Sequence, residues 1–114
     1  MASDLSAFNR YLDRLPKAIK AALARELASC GDLIVTKMKE AAPEDSGELA
    51  ENISATPKND GLKVEVVSDT DHSAYVEFGT SDTPAEPFFY PTIHALEPEV
   101  TDRLNKALGK AFQQ

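Results

Sequence analysis

Between residues 5 and 38 the apolar side chains Leu5, Phe8, Leu12, Leu15, Ile19, Leu23, Leu27, Cys30, Ile34 and Met38 recur in steps of three or four. That spacing lays a single apolar stripe along a helix. Ser3 or Asp4 stands where it can cap the start. Pro16 lacks an amide hydrogen and disfavours helical geometry at Leu15, so a kink or break is expected over residues 14–16. A short helix should precede it and a long one should follow over residues 16–41, spanning roughly 35–40 Å at ~1.5 Å per residue.

The stretch APEDSGEL, residues 42–49, carries Pro, Asp, Ser and Gly and reads as a loop. Residues 53–56 and 62–67 flank PKNDG, whose Asn59, Asp60 and Gly61 favour positive φ, and Leu62, Val64 and Val66 alternate with Lys63 and Glu65. These are the marks of a β-hairpin. Residues 74–78, rich in aromatic and β-branched types, predict a further short strand that Gly79 and the polar loop SDTPAEP terminate. From Pro91 onwards, Ile93, Leu96, Val100, Leu104, Leu108 and Phe112 resume helical spacing, with Pro98 either bending that helix or opening its main part. The element order contains no βαβ repeat and predicts an α+β fold, in which a long N-terminal helix packs on a small antiparallel sheet and a C-terminal helix follows.

At 114 residues the chain suits one domain over residues 1–114, and 42% hydrophobic residues are enough for a core. Nineteen acids against twelve bases give a net charge of −7, a sign that repels a phosphate backbone rather than gripping it. A wall around passing DNA remains compatible with that charge. Cys30 is the only cysteine, so no disulfide can form within the chain, and a reducing, cytoplasmic origin fits. No apolar run approaches the ~20 residues of a membrane span, and no address signal is visible.

Candidates for chemistry are few. His72 precedes the expected strand and reads as a turn histidine facing water, with Asp69, Asp71 and His72 as a weak metal alternative. His94 reads as exposed on its helix, and Cys30 on the apolar stripe reads as a small buried hydrophobe. On a strand, Glu77 would face away from Val76 and Phe78, towards solvent, an ion pair with another subunit, or a hydrogen bond onto the following loop. PAEPFFYP, residues 84–91, sets Phe88, Phe89 and Tyr90 among prolines that pre-order the chain. Such a segment either plugs its own core or docks on a neighbour. No nucleophile–base constellation and no ligand spacing for a metal is present, so neither catalysis nor a cofactor is expected.

Three pieces together resemble the tail-component or head-tail joining (tail-completion) proteins of long-tailed phages. They are Ala42, Pro43, Asp45, Ser46, Gly47, Leu49 and Ile53 in an A-P-x-D-S/T-G-x-L-x-x-x-I pattern; Ala74, Tyr75, Val76, Glu77, Phe78, Gly79 and Thr80; and the segment from Pro84 through Pro87, Phe88, Phe89 and Tyr90 to Pro91. Glu48 and Tyr90 stand where relatives commonly carry basic residues. The resemblance implies a non-enzymatic virion protein of the neck, assembled in the host bacterial cytoplasm. It implies a ring, six-fold in the family, that completes the tail tube and meets the head connector or adaptor proteins, while DNA passes without specific binding and no membrane is involved. Head closure is the neighbouring alternative. The subunit and partner contacts it implies are Asp45, Ser46, Gly47, Tyr75, Glu77, Phe78, Gly79, Thr80, Pro84, Pro87, Phe88, Phe89, Tyr90 and Pro91. Asp69, Asp71, Glu77 and Asp82 are the acids expected on an inner or contact-facing side. From other classes, a small hydrolase-like enzyme using Glu77 and His72, or a monomeric host binding module, stays open.

Overall fold

The computed structural model describes residues 10–11, 13–43 and 47–113. Residues 10, 11 and 13 are helical, Arg14 donates its amide to the Tyr11 carbonyl at 3.2 Å, and the chain turns over residues 14–16. The break therefore falls where Pro16 demands it. Leu5, Phe8 and Leu12, and the caps Ser3 and Asp4, lie outside the described residues.

Helix α1, Lys17–Ala41, follows and ends where Ala42 turns extended (ψ 136°) ahead of Pro43. Residues 42–49 are not all loop: Gly47 (φ 57°) opens a single helical turn, α2, Glu48–Glu51, which buries Leu49. Strands β1, Ile53–Lys58, and β2, Lys63–Ser68, pair antiparallel with Ala55 opposite Val66 and Pro57 opposite Val64. The turn between them, Asn59–Gly61, is a 3-10 turn with positive φ at all three residues. The hairpin expectation stands, with β1 extended to Lys58 and β2 shifted by one residue to Lys63–Ser68.

The expected strand over residues 74–78 is instead a helix, α3, Ser73–Phe78. Six residues are too few for the 3.6 and 2.0 periods to separate, and tertiary contacts override β propensity. Helix α4, Tyr90–Phe112, runs unbroken through Pro98, which neither opens nor divides it. The α+β class holds: a long helix, a two-stranded antiparallel sheet and a C-terminal helix.

The hairpin lies lengthwise along α1, against positions seven residues apart. A Cβ on Gly61 at its tip would meet the Ala24 Cβ at 2.7 Å, and one on Gly31 would meet Val64 Cγ1 at 2.9 Å and Ala55 Cβ at 3.2 Å. At the far end, Met38 and Ala42 enter the core with Leu49, Ile53 and Phe88. Ala24, Gly31 and Met38 thus form one face, small where the strands cross closely and large where the core opens. Helix α4 returns antiparallel along another side of α1. Ile93 packs on the core, Arg103 Nε donates to Glu26 Oε1 at 2.7 Å, and Ala107 and Ala111 line a cleft with Ala18, Ala21 and Ala22. No residue of α4 is buried, and the molecule measures 54 × 30 × 21 Å.

Candidate functional site

The motif segments around residues 75–80 and 84–91 meet at Glu77, near the C-terminal end of α3. Its Oε1 accepts the amide hydrogens of Phe88 and Phe89, both at 2.9 Å, and its Oε2 accepts that of Tyr90 at 3.1 Å. These amides stand at the N-terminal end of α4, where Phe89 is the N-cap and Tyr90 the first helical residue, and donors there have no partner within the helix. Pro91 follows and has no amide hydrogen to satisfy. The carboxylate therefore caps α4 from another element, with its charge at the positive end of the helix dipole. Burial pushes the Glu77 carboxyl up, but the three amides outweigh it and hold its pKa below the ordinary glutamate value.

The loop between the two helices is shaped to deliver those amides. Gly79 takes φ 78°, and a Cβ there would stand 2.8 Å from the Ala85 nitrogen and 2.9 Å from the Thr83 oxygen, so only glycine fits. The Thr80 amide donates to the Thr83 carbonyl at 2.9 Å, and Thr80 Oγ1 accepts from the amides of Asp82 and Thr83 at 3.2 and 3.0 Å. The Glu86 amide then donates to the Val76 carbonyl at 2.8 Å. The expectation that Glu77 points to solvent or to a partner and Phe78 inward is thus reversed, whereas Val76 does pack against the core. Glu77 is buried within its own chain, Phe78 is 70% exposed, and the hydrogen bond onto the following segment is the interaction made.

From this clamp an aromatic ladder leads outward. Phe88 is fully buried, Phe89 is half-buried and edge-on to it at 6.4 Å, Tyr90 stacks edge-on to Phe89 at 5.2 Å, and Phe78 lies 6.3 Å from Tyr90. Tyr75 and Phe78, three apart on α3, share its outer face with 62% and 70% of their surface exposed. The proline-ordered segment therefore plugs its own core through Phe88, while Tyr90 at its end faces out. Thr80, Pro84, Pro87 and Pro91 are exposed around it, and Gly47 is exposed before α2. Asp45 and Ser46 lie outside the described residues.

His72 and Glu77 do not form the pair a hydrolase would need. His72 Nε2 faces Glu48 Oε2 at 3.6 Å, and it borders a cavity of about 340 Å³ with Pro43, Leu49 and Tyr75. Glu77 borders a different one, of about 270 Å³, with Val67, Phe78 and Tyr90. No group of three or more His, Cys, Asp or Glu side chains among the described residues is placed to hold a metal ion. Cys30 is buried on α1, and burial pushes its thiol up. Sequence reasoning missed Gly31 and the Arg103–Glu26 bridge. A glycine within a strongly helical run was the available signal for the first; the second joins residues 77 apart and carries no local signal.

Residues 6–79, more than half of the chain, match the family model described as "Bacteriophage HK97-gp10, putative tail-component". The chain belongs to this HK97-gp10-like family. Membership makes it a tail-component structural protein of a bacteriophage, with the virion as its location and other phage structural proteins as its partners. The match spans α1, the hairpin and all of α3, and it ends at Gly79. The amides that Glu77 caps therefore lie just beyond the part this tail component shares with its family model. No curated protein and no solved structure matches the chain. Among the described residues, no helix is long and apolar enough to cross a membrane.

Proposed function

We propose that this tail component is a non-enzymatic neck protein whose copies form a six-fold ring. The ring completes the tail tube, with tail-tube protein on one side and head connector or adaptor proteins on the other, and DNA passes through it without being gripped. The observation that carries this reading is the exposure of Tyr75, Phe78 and Tyr90 together, on a subunit with only seven buried apolar side chains among its described residues. Large rings left in water beside a core that small are the mark of a surface meant to be covered. The contacts proposed are the outward members of the motif segments, Gly47, Tyr75, Phe78, Thr80, Pro84, Pro87, Tyr90 and Pro91, with Asp45 and Ser46 just before Gly47 and with Gly79 shaping the turn between them. Glu77, Phe88 and Phe89 act from inside the subunit by holding that segment in place.

Deleting the gene from its phage or prophage tests the reading. Electron micrographs of lysates should then contain DNA-filled heads and separate tails, with joining restored by the gene supplied from a plasmid. Intact infectious particles from the deletion would refute it.

A further inference from the structure

Charge is sorted along the long axis of the subunit. Of the twelve Lys and Arg residues only Lys37 and Lys39 belong to the end that holds the core. The others sit towards the N-terminal end of α1, on the returning half of α4, or on the strand ends at the hairpin tip, which packs on Ala24. Among the described residues Lys17, Arg25 and Lys110 have no carboxylate within 4.0 Å. The core end is acidic, and Asp69, Asp71, Asp82 and Glu86 are exposed there without a cationic partner. The exposed rings of Tyr75, Phe78 and Tyr90 belong to this same end.

We propose that copies of this chain join head to tail, the acidic aromatic end of one subunit seating on the basic ends of α1 and α4 of the next. This rests on the ring reading above and names the chemistry of its joint. Like ends repel, so a two-fold contact through either end is disfavoured, whereas unlike ends attract and make a heterologous contact that closes into a ring when its rotation allows. Asp71 and Glu86 offer carboxylates to Lys17, Arg25 and Lys110, and the faces of Tyr75, Phe78 and Tyr90 accept their cations and methylene stems. The joint also neutralises the surface that would otherwise attract DNA.

Sedimentation of the full chain with two charge-reversed variants tests this. One carries Lys17→Glu, Arg25→Glu and Lys110→Glu; the other carries Asp71→Lys, Asp82→Lys and Glu86→Lys. Wild type should associate at low salt, with an apparent Kd at least ~10-fold weaker near 0.5 M salt. Each variant alone should stay monomeric, with an unchanged circular dichroism spectrum. Mixing the two should restore assembly, because every joint then pairs opposite charges. Either variant assembling like wild type, or a mixture that stays monomeric, would overturn the head-to-tail joint and leave the ring itself standing. Wild type that remains monomeric at high concentration and low salt would remove the ring reading as well. Duplex DNA held by the basic end of wild type, and lost in the first variant while that variant still self-associates, would assign the basic end to nucleic acid instead.

Discussion

Glu77 Oε1 lies 2.9 Å from the amide nitrogen of Phe88, so an acid eleven residues upstream fixes the position of the largest fully buried side chain among the described residues. One carboxylate thus couples three things: the end of α3, the start of α4 and the core ring between them.

Glu77→Gln is expected to lower stability by about 2–3 kcal/mol at neutral pH, because it removes the charge and turns one amide donor against another. The folded-state pKa of Glu77 is depressed. Its contribution is therefore fully present above the ordinary value near 4.5 and is lost as pH falls through the folded value. Urea unfolding at pH 7 and at acid pH checks this: the gap between wild type and variant should narrow in acid. Equal midpoints at pH 7 would mean the clamp is not stabilising.

The three consecutive aromatics should separate by burial. Phe88→Ala is expected to cost about 3–5 kcal/mol of folding stability. Tyr90→Ala, 53% exposed, should stay within about 0.5 kcal/mol and instead weaken association. Phe89→Ala should fall between them. Thermal unfolding of the monomer beside an assembly assay reads both effects, and a Tyr90 variant as unstable as the Phe88 variant would contradict the ladder.

At Gly31 two effects compete. Alanine gains ~1 kcal/mol of helix propensity, but its Cβ would stand 2.9 Å from Val64 Cγ1, on a stiff β-branched side chain. Overpacking of ~1–3 kcal/mol should win, so Gly31→Ala is expected to destabilise slightly and Gly31→Leu strongly. Adding Val64→Ala should make Gly31→Ala stabilising. A double-mutant cycle that is additive would show that the helix and hairpin are not in contact there.

The long elements were legible because periodicity accumulates. Leu23, Leu27, Ile34 and Met38 set the face of α1, and Asn59, Asp60 and Gly61 set the hairpin turn. Helix α3 was not legible, since Tyr75, Val76 and Phe78 favour a strand locally, while the contacts that accompany its helical form, from Glu77 to the amides of residues 88–90 and from Val76 to the core, are tertiary. The reach from Glu77 to Phe88, eleven residues on, links YVEFGT to PFFYP, a spacing readable as motif but not as mechanism. Arg103 and Glu26 meet through the antiparallel return of α4, which no local pattern encodes.

The absence of any buried residue in α4 has a thermodynamic consequence. Its N-terminal end is tied to the core through Ile93, the preceding Phe88 and the Glu77 cap, whereas the turns around Leu104 and Leu108 rest on α1 across one half-buried stripe. Opening free energy should therefore decline along the helix, so that amides near Ile93 exchange with solvent only on global unfolding and those beyond Lys106 exchange through peeling that leaves the rest of the subunit folded. A helix anchored at one end and loose at the other can adjust its distal half to whatever it meets without disturbing the core.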